Sequence, residues 1–157
     1  MIRGEQDISY HQAGETIGQD RGFADNGSGI TGFVLGATTE ALSGRIPQAS
    51  AALLLEKLGA RFTSAELYEL VVPERTLARR LARKELLTPA ETDRALRVAR
   101  ISAEADRVFG DPEKAGRWLR RANSSLGGQT PIGLMRSEAG AQIVEEALGQ
   151  IDHGMFA

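Results

Sequence analysis

The chain has 157 residues, no cysteine, two histidines and a formal net charge of −2. It therefore has no disulfide, thiolate nucleophile or cysteine zinc site, and its charge argues against a generally basic nucleic-acid binder. No apolar run approaches the roughly 20 residues of a membrane span, and the N-terminus lacks a signal-peptide core, so the expectation is a cytoplasmic protein of one domain, with or without a flexible arm.

The charge is unevenly placed. Residues 1–60 carry a net −3, residues 61–110 a net +2 and residues 111–157 a net −1. Arg75, Arg79, Arg80, Arg83 and Lys84 follow one another within ten residues with no acid among them, and this local cluster matters more than the total.

Residues 1–30 are polar and glycine-rich with no sustained periodicity, which predicts a mobile arm that buries too little apolar surface to offset its ordering entropy. Gly27, Gly29 and Gly32 spell GxGxxG, but no strand precedes them and no alternation of strands and helices follows, so the stretch reads as a linker and not a dinucleotide site. Helical signals begin at about residue 38. Thr39 opens a short first helix ended near Gly44, and Pro47 suits the first turn of a second, with Leu54, Leu55 and Leu58 as its apolar stripe and Gly59 as its stop. Thr63-Ser-Ala-Glu66 is a capping box. It opens a helix with Leu67, Leu70 and Val71 inward, and Pro73 forces a break before a basic helix that runs to about Arg83.

Thr88-Pro-Ala-Glu91 is a second capping box, opening a long helix to about Phe109 with Leu96, Ala99, Ala103 and Val108 available to the core; Gly110 stops it. Asp111-Pro112 opens the next helix, in which Ala115, Trp118 and Leu119 share a face. Thr130-Pro131 opens a short turn through Met135, and Ser137 caps a last helix with Gly140, Ile143, Val144, Ala147, Leu148 and Ile151 at helical spacing. Trp118, Ile143, Val144 and Leu148 read as core before contact residues. No β-alternation is evident, so the expected fold is all-α.

Two short helices, the second basic, resemble a helix-turn-helix. Arg75, Arg79 and Arg83 recur every four residues, with Thr76, Arg80 and Lys84 beside them, a face suited to phosphates and guanine edges; an ordinary solvated face is the competing reading. The turn glycine is missing, with Val71-Val72-Pro73 in its place. No HExxH, GxSxG or P-loop is present and Glu145-Glu146 reads as solvent-facing, so no catalytic residue, metal or cofactor is expected.

FGDPEKAGRWL, NSSLGGQTPIGLM, SEAGAQIVEEAL and IDHGMFA over residues 109–157 resemble, in order, the toxin-binding domain of Xre/MbcA/ParS-type antitoxins. RTLARRL at 75–81 and LLTPAETDRALRVARI at 86–101 resemble that family's Xre-like part. The resemblance implies a flexible arm over 1–37, an Xre-like helix-turn-helix domain over 38–105 and a toxin-binding domain over 106–157. It implies an antitoxin that occludes the active site of a RES-domain, ADP-ribosyltransferase-like toxin that uses NAD, as a homodimer within a hetero-oligomeric complex that also binds operator DNA. The toxin-binding residues it implies are Arg117, Arg121, Asn123, Leu126, Gly127, Gly128, His153, Gly154, Met155, Phe156 and Ala157, with Met155-Phe156 as an exposed anchor. The competing expectation is a stand-alone transcriptional regulator whose C-terminal part only dimerises.

Overall fold

The structure, a computed structural model, describes residues 29–154. Among these residues it is helical with no strand: α1 Gly29–Leu42, α2 Ala51–Leu58, α3 Ser64–Leu70, α4 Glu74–Arg83, α5 Pro89–Phe109, α6 Pro112–Arg120, a 3-10 turn Ser124–Leu126, α7 Pro131–Leu134 and α8 Glu138–Asp152. The all-α expectation holds.

The helix starts are set locally. Thr63 and Thr88 each accept from the amide three residues on, while Glu66 and Glu91 reach back to the amides of Thr63 and Thr88 at 2.8 and 2.7 Å. Asp111, Thr130 and Ser137 cap α6, α7 and α8 through a side-chain oxygen that accepts from first-turn amides, without a returning glutamate. Gly110, with φ 63°, takes the left-handed stop after α5.

Helix α5 is the centre of the packing, touched by α1, α3, α6 and α8. Its buried positions include Ala95, Val98, Ala99, Ile101, Ser102 and Ala105, several of them small enough for neighbouring helices to approach closely. Of the four residues the sequence pattern assigns to its core, Ala99 is buried whereas Leu96, Ala103 and Val108 are only partly so, because α5 is contacted from more directions than a one-sided stripe anticipates. One core cluster extends from Phe33 to Leu148 and joins the basic helix pair to the C-terminal helices.

Four expectations are corrected. The arm expected over residues 1–37 does not hold for residues 29–37, which form the start of α1 and bury Gly32, Phe33, Gly36 and Ala37. The helix is weakly amphipathic and becomes stable by packing on α5, so its pattern is not visible locally. Gly29 and Gly32 of the GxGxxG stretch belong to this helix and not to a linker; Gly27 lies outside the described residues. Pro47 precedes α2 without entering its first turn. Ala49 accepts from the Leu87 amide at 2.8 Å and its own amide donates to Thr92 Oγ1 at 3.3 Å, so the chain stays extended until Ser50 caps the helix. Ile143, expected in the core, is 46% exposed on α8.

The turn between α3 and α4 needs no glycine. No residue in it has a positive φ; Val71 and Val72 are buried, and Arg94 Nε donates to the Val71 carbonyl at 2.7 Å. A distant guanidinium thus satisfies the end of α3 that a left-handed glycine would otherwise close.

Two stability predictions follow from this packing. A Cβ on Gly140 would stand 2.1 Å from the Leu134 carbonyl oxygen. Gly140→Ala should therefore lower Tm and cost about 1–3 kcal/mol by overpacking, although helix propensity alone favours alanine by about 1 kcal/mol; an equal or higher Tm would contradict this. Glu91 is buried, which opposes its ionisation, but the Thr88 amide and the Arg80 guanidinium outweigh burial and hold its pKa below the ordinary 4.5. A depressed carboxylate pKa stabilises the fold fully above the unfolded value, and that contribution is lost as pH falls through the native value. Glu91→Gln should cost roughly 2 kcal/mol at neutral pH and flatten the loss of stability below pH 4.5, measured by urea denaturation across pH.

Candidate protein and DNA interfaces

The first candidate surface is α4. Its side chains at Arg75, Arg79, Arg83 and Lys84 are exposed and Thr76 is half-buried. Arg75, Arg79 and Lys84 make no ion pair among the described residues, and Arg83 only approaches Glu85 at 3.8 Å. The cations are available to an external anion, as the four-residue spacing predicts. Lys84 ends the helix with φ 54°, its amide directed at the Arg80 and Leu81 carbonyls.

Arg80 departs from the expectation of a DNA-facing residue. Its side chain is 12% exposed and turns to the capping glutamate of α5: Nη2 donates to Glu91 Oε1 at 3.2 Å and Nε lies 3.0 Å from Oε2. Nη1 donates to the Leu86 carbonyl at 3.1 Å. Arg80 is tied into the joint between α4 and α5, because Glu91 of the second capping box is the nearest buried carboxylate and needs a cation.

The second candidate surface lies in the C-terminal helices. Arg117 is exposed and meets only Glu113, at 3.8 Å; Arg121 is exposed with no ion pair among the described residues. Gly127 and Gly128, at φ 65° and 78°, form an open tip with nothing near their Cα hydrogens. Asn123 and Leu126, expected as contact residues, serve the loop instead. Asn123 Oδ1 accepts from the Ser125 amide at 2.9 Å, its amide donates to the Gln129 carbonyl at 3.0 Å and its carbonyl accepts from Leu126 and Gly128. Leu126 is 7% exposed, with the 3-10 turn packed on α8. A side chain that closes a loop from within has little surface left for a partner.

His153 and Gly154 are exposed at the end of α8, where the His153 amide donates to the Gly149 carbonyl at 3.1 Å and Gly154 adopts φ 69°. Met155, Phe156 and Ala157 lie outside the described residues. Trp118 is half-buried and packs on Phe109 with ring centroids 5.6 Å apart, consistent with its reading as a packing residue.

Sequence reading missed the ionic seam between the two surfaces. Arg120 of α6 clamps Glu66 of α3 at 2.7 and 2.9 Å and donates to the Arg61 carbonyl at 2.9 Å. Arg136 pairs with Glu69, and Arg61 holds Asp106 through two contacts of 2.7 Å. Arg97 and Arg100 of α5 reach Glu138 and Glu145 of α8, and Arg107 bridges Glu104 and Asp152. Burial opposes ionisation of Glu66, but Arg120 and the Thr63 amide outweigh it and lower its pKa; hydrogen bonding from Arg107 lowers the pKa of Glu104 and Asp152. The signal for these pairs is long-range complementarity of charge, which no spacing within one helix reveals.

Among the described residues no cluster of His, Asp or Glu suits a metal ion, and no helix is long and apolar enough to cross a membrane.

Two family models match the chain in tandem. Residues 40–100 match the antitoxin Xre-like helix-turn-helix domain, and residues 104–154 match the antitoxin Xre/MbcA/ParS C-terminal toxin-binding domain. Antitoxin Xre of Pseudomonas putida is 40% identical over 112 residues, which is 70% of this chain and 70% of that protein. Antitoxin Xre of Yersinia enterocolitica is 34% identical over 87 residues, 55% of this chain and 59% of its own length. The Photorhabdus laumondii protein of the same name is 35% identical over 84 residues, covering 53% and 57%. A helix-turn-helix part and a toxin-binding part thus follow one another in the order the motifs imply, and the chain belongs to the Xre/MbcA/ParS family, the antitoxins of toxin–antitoxin systems.

Proposed function

We propose that this antitoxin neutralises a RES-domain toxin that uses NAD, covering the toxin's active site with the C-terminal helices and the residues that follow α8. The observation that carries this reading is the run of motifs from Phe109 to Gly154, folded here as one capped helical unit and coinciding with the toxin-binding match. Arg117, Arg121, the Gly127-Gly128 tip, His153 and Gly154 form its exposed polar part, and Ile143 adds an apolar contact. Met155-Phe156-Ala157 supply the anchor that enters the toxin.

In the same proposal α4 is the recognition helix for the operator. Its exposed Arg75, Arg79, Arg83 and Lys84 supply phosphate and base contacts, and two copies of the chain read two half-sites. The complex then holds toxin and an antitoxin dimer together.

Expression of the product of the adjacent gene, alone and with this chain, tests the first part. The neighbour alone should deplete cellular NAD and stop growth; co-expression should restore both through a complex that co-purifies. Deleting residues 154–157 should abolish neutralisation while operator binding persists. A harmless neighbour, or one that does not bind, would overturn the antitoxin–toxin assignment in favour of a stand-alone regulator.

Electrophoretic mobility shifts with the promoter region test the second part. Arg75→Ala with Arg79→Ala should weaken binding about tenfold and reduce the salt slope by about 0.9 per lost phosphate contact, with Tm unchanged. Arg80→Ala should instead lower Tm, since it leaves Glu91 buried without its cation. Undiminished DNA binding by the double variant would refute α4 as the reading helix.

A further inference from the structure

Helix α4 carries exposed cations, yet its apolar anchorage is slight. Of its ten residues only Leu77 is buried, and Leu81, one turn on, is partly so. Two leucines on one face fix which side of a helix points inward but leave the tilt of its axis to whatever holds the two ends. The C-terminal end is held through Arg80, which Glu91 and the Leu86 carbonyl bind. The N-terminal end has no such hold of its own. Pro73 stands at the cap position and no side chain there accepts from the first-turn amides.

The hold at that end comes from α5. Arg94 Nε donates to the Val71 carbonyl at 2.7 Å across 23 residues of sequence. Val71 and Val72 are 2% and 0% exposed, so the accepting carbonyl sits in a buried turn where an unmet hydrogen bond is costly. Arg94 makes no ion pair and no other hydrogen bond among the described residues. It follows Glu91 by three residues, and residues at that spacing are neighbours on a helix surface. One turn of α5 thus reaches both ends of α4, Arg94 just ahead of it and Glu91 near its close.

We propose that Arg94 is a positioning residue for operator recognition, fixing through the Val71 carbonyl the entry of α4 into the major groove. The proposal rests on the reading of α4 as the recognition helix. Phosphate contacts carry no sequence information, whereas base contacts demand register, and in helix-turn-helix proteins the N-terminal residues of the recognition helix reach the base edges. A loosened N-terminal end therefore still presents Arg75 and Arg79 to phosphates but no longer aligns them with guanine edges. The consequence is loss of sequence preference with the electrostatic attraction kept. Arg94 is half-buried with Nε directed into the turn, unlike the exposed cations of α4, and this favours positioning over a phosphate contact of its own.

The test measures binding of the full chain to its promoter region and to a scrambled duplex of equal length and composition, each across a salt series. Arg94→Gln removes the charge but keeps an N–H donor the same number of bonds from the backbone as Nε. Arg94→Met keeps a stem of similar length and removes both charge and donor. Arg94→Gln should retain the parent's preference for the promoter. Arg94→Met should lower that preference about tenfold, with affinity for the scrambled duplex and the salt slope as in the parent. Parental preference in Arg94→Met overturns the proposal. Equal loss on both duplexes, or failure of Arg94→Met to fold, also overturns it, because the bond then supports the fold at large. Impairment of Arg94→Gln equal to that of Arg94→Met, with a reduced salt slope, makes Arg94 a phosphate contact and overturns the positioning role. An unsubstituted chain that does not prefer its promoter refutes α4 as the recognition helix, a failure seen before any substitution is made.

Discussion

Burial of α5 is the constraint on which the rest of the structure depends. The helix has to present Ala95, Val98, Ala99, Ile101 and Ala105 to neighbours while carrying Arg94, Arg97, Arg100 and Arg107. Small apolar side chains let α1, α6 and α8 come close, and burial of that surface is the main favourable term. Arg94 and Arg97 are partly buried and need partners, because losing one partner of a buried pair costs about 3–5 kcal/mol, whereas Arg100 and Arg107 stay more than half exposed. Each finds one: the Val71 carbonyl, Glu138, Glu145, and the pair Glu104 and Asp152.

This solution ties the helix-turn-helix part to the toxin-binding part. The two family matches meet between residues 100 and 104, inside α5, so the boundary between them falls within a continuous helix. One core passes through it, and Glu66 and Glu69 of α3 are held by Arg120 and Arg136 from the C-terminal helices. Most of these pairs are exposed and individually weak. They tie α3 to α6 and to the segment after α7 at two points.

The two candidate surfaces are therefore parts of one body with different physical character. On α4, Arg75 and Arg79 make no ion pair among the described residues and Arg83 only approaches Glu85, on a helix packed through Leu77. Across the C-terminal helices, exposure is divided among a glycine tip, spare arginines and Ile143. A helix of free cations suits a polyanion, and a mixed surface with apolar elements suits a protein.

The all-α class, the helix starts from α3 onward and the family were legible in the sequence because they depend on residues a few positions apart. A Thr and a Glu at capping-box spacing satisfy each other wherever the helix lies, as at Thr63–Glu66 and Thr88–Glu91, and Gly110 stops α5 by its own left-handed backbone. The order of motifs from Phe109 to Gly154 is a property of the chain alone. What the tertiary structure decided are faces and partners. Residues 29–37 read as a mobile arm because α1 has little amphipathic pattern, and it is α5 that makes a helix of them. Arg80 stands beside Arg79 in the same basic cluster, yet Glu91, eleven residues on, turns it inward. Ile143 matches the core periodicity, yet no helix among the described residues covers it; Arg120 and Arg136 find carboxylates 54 and 67 residues away. A cap is a hydrogen bond within one turn and is written locally, whereas burial and charge pairing depend on what a distant segment brings alongside.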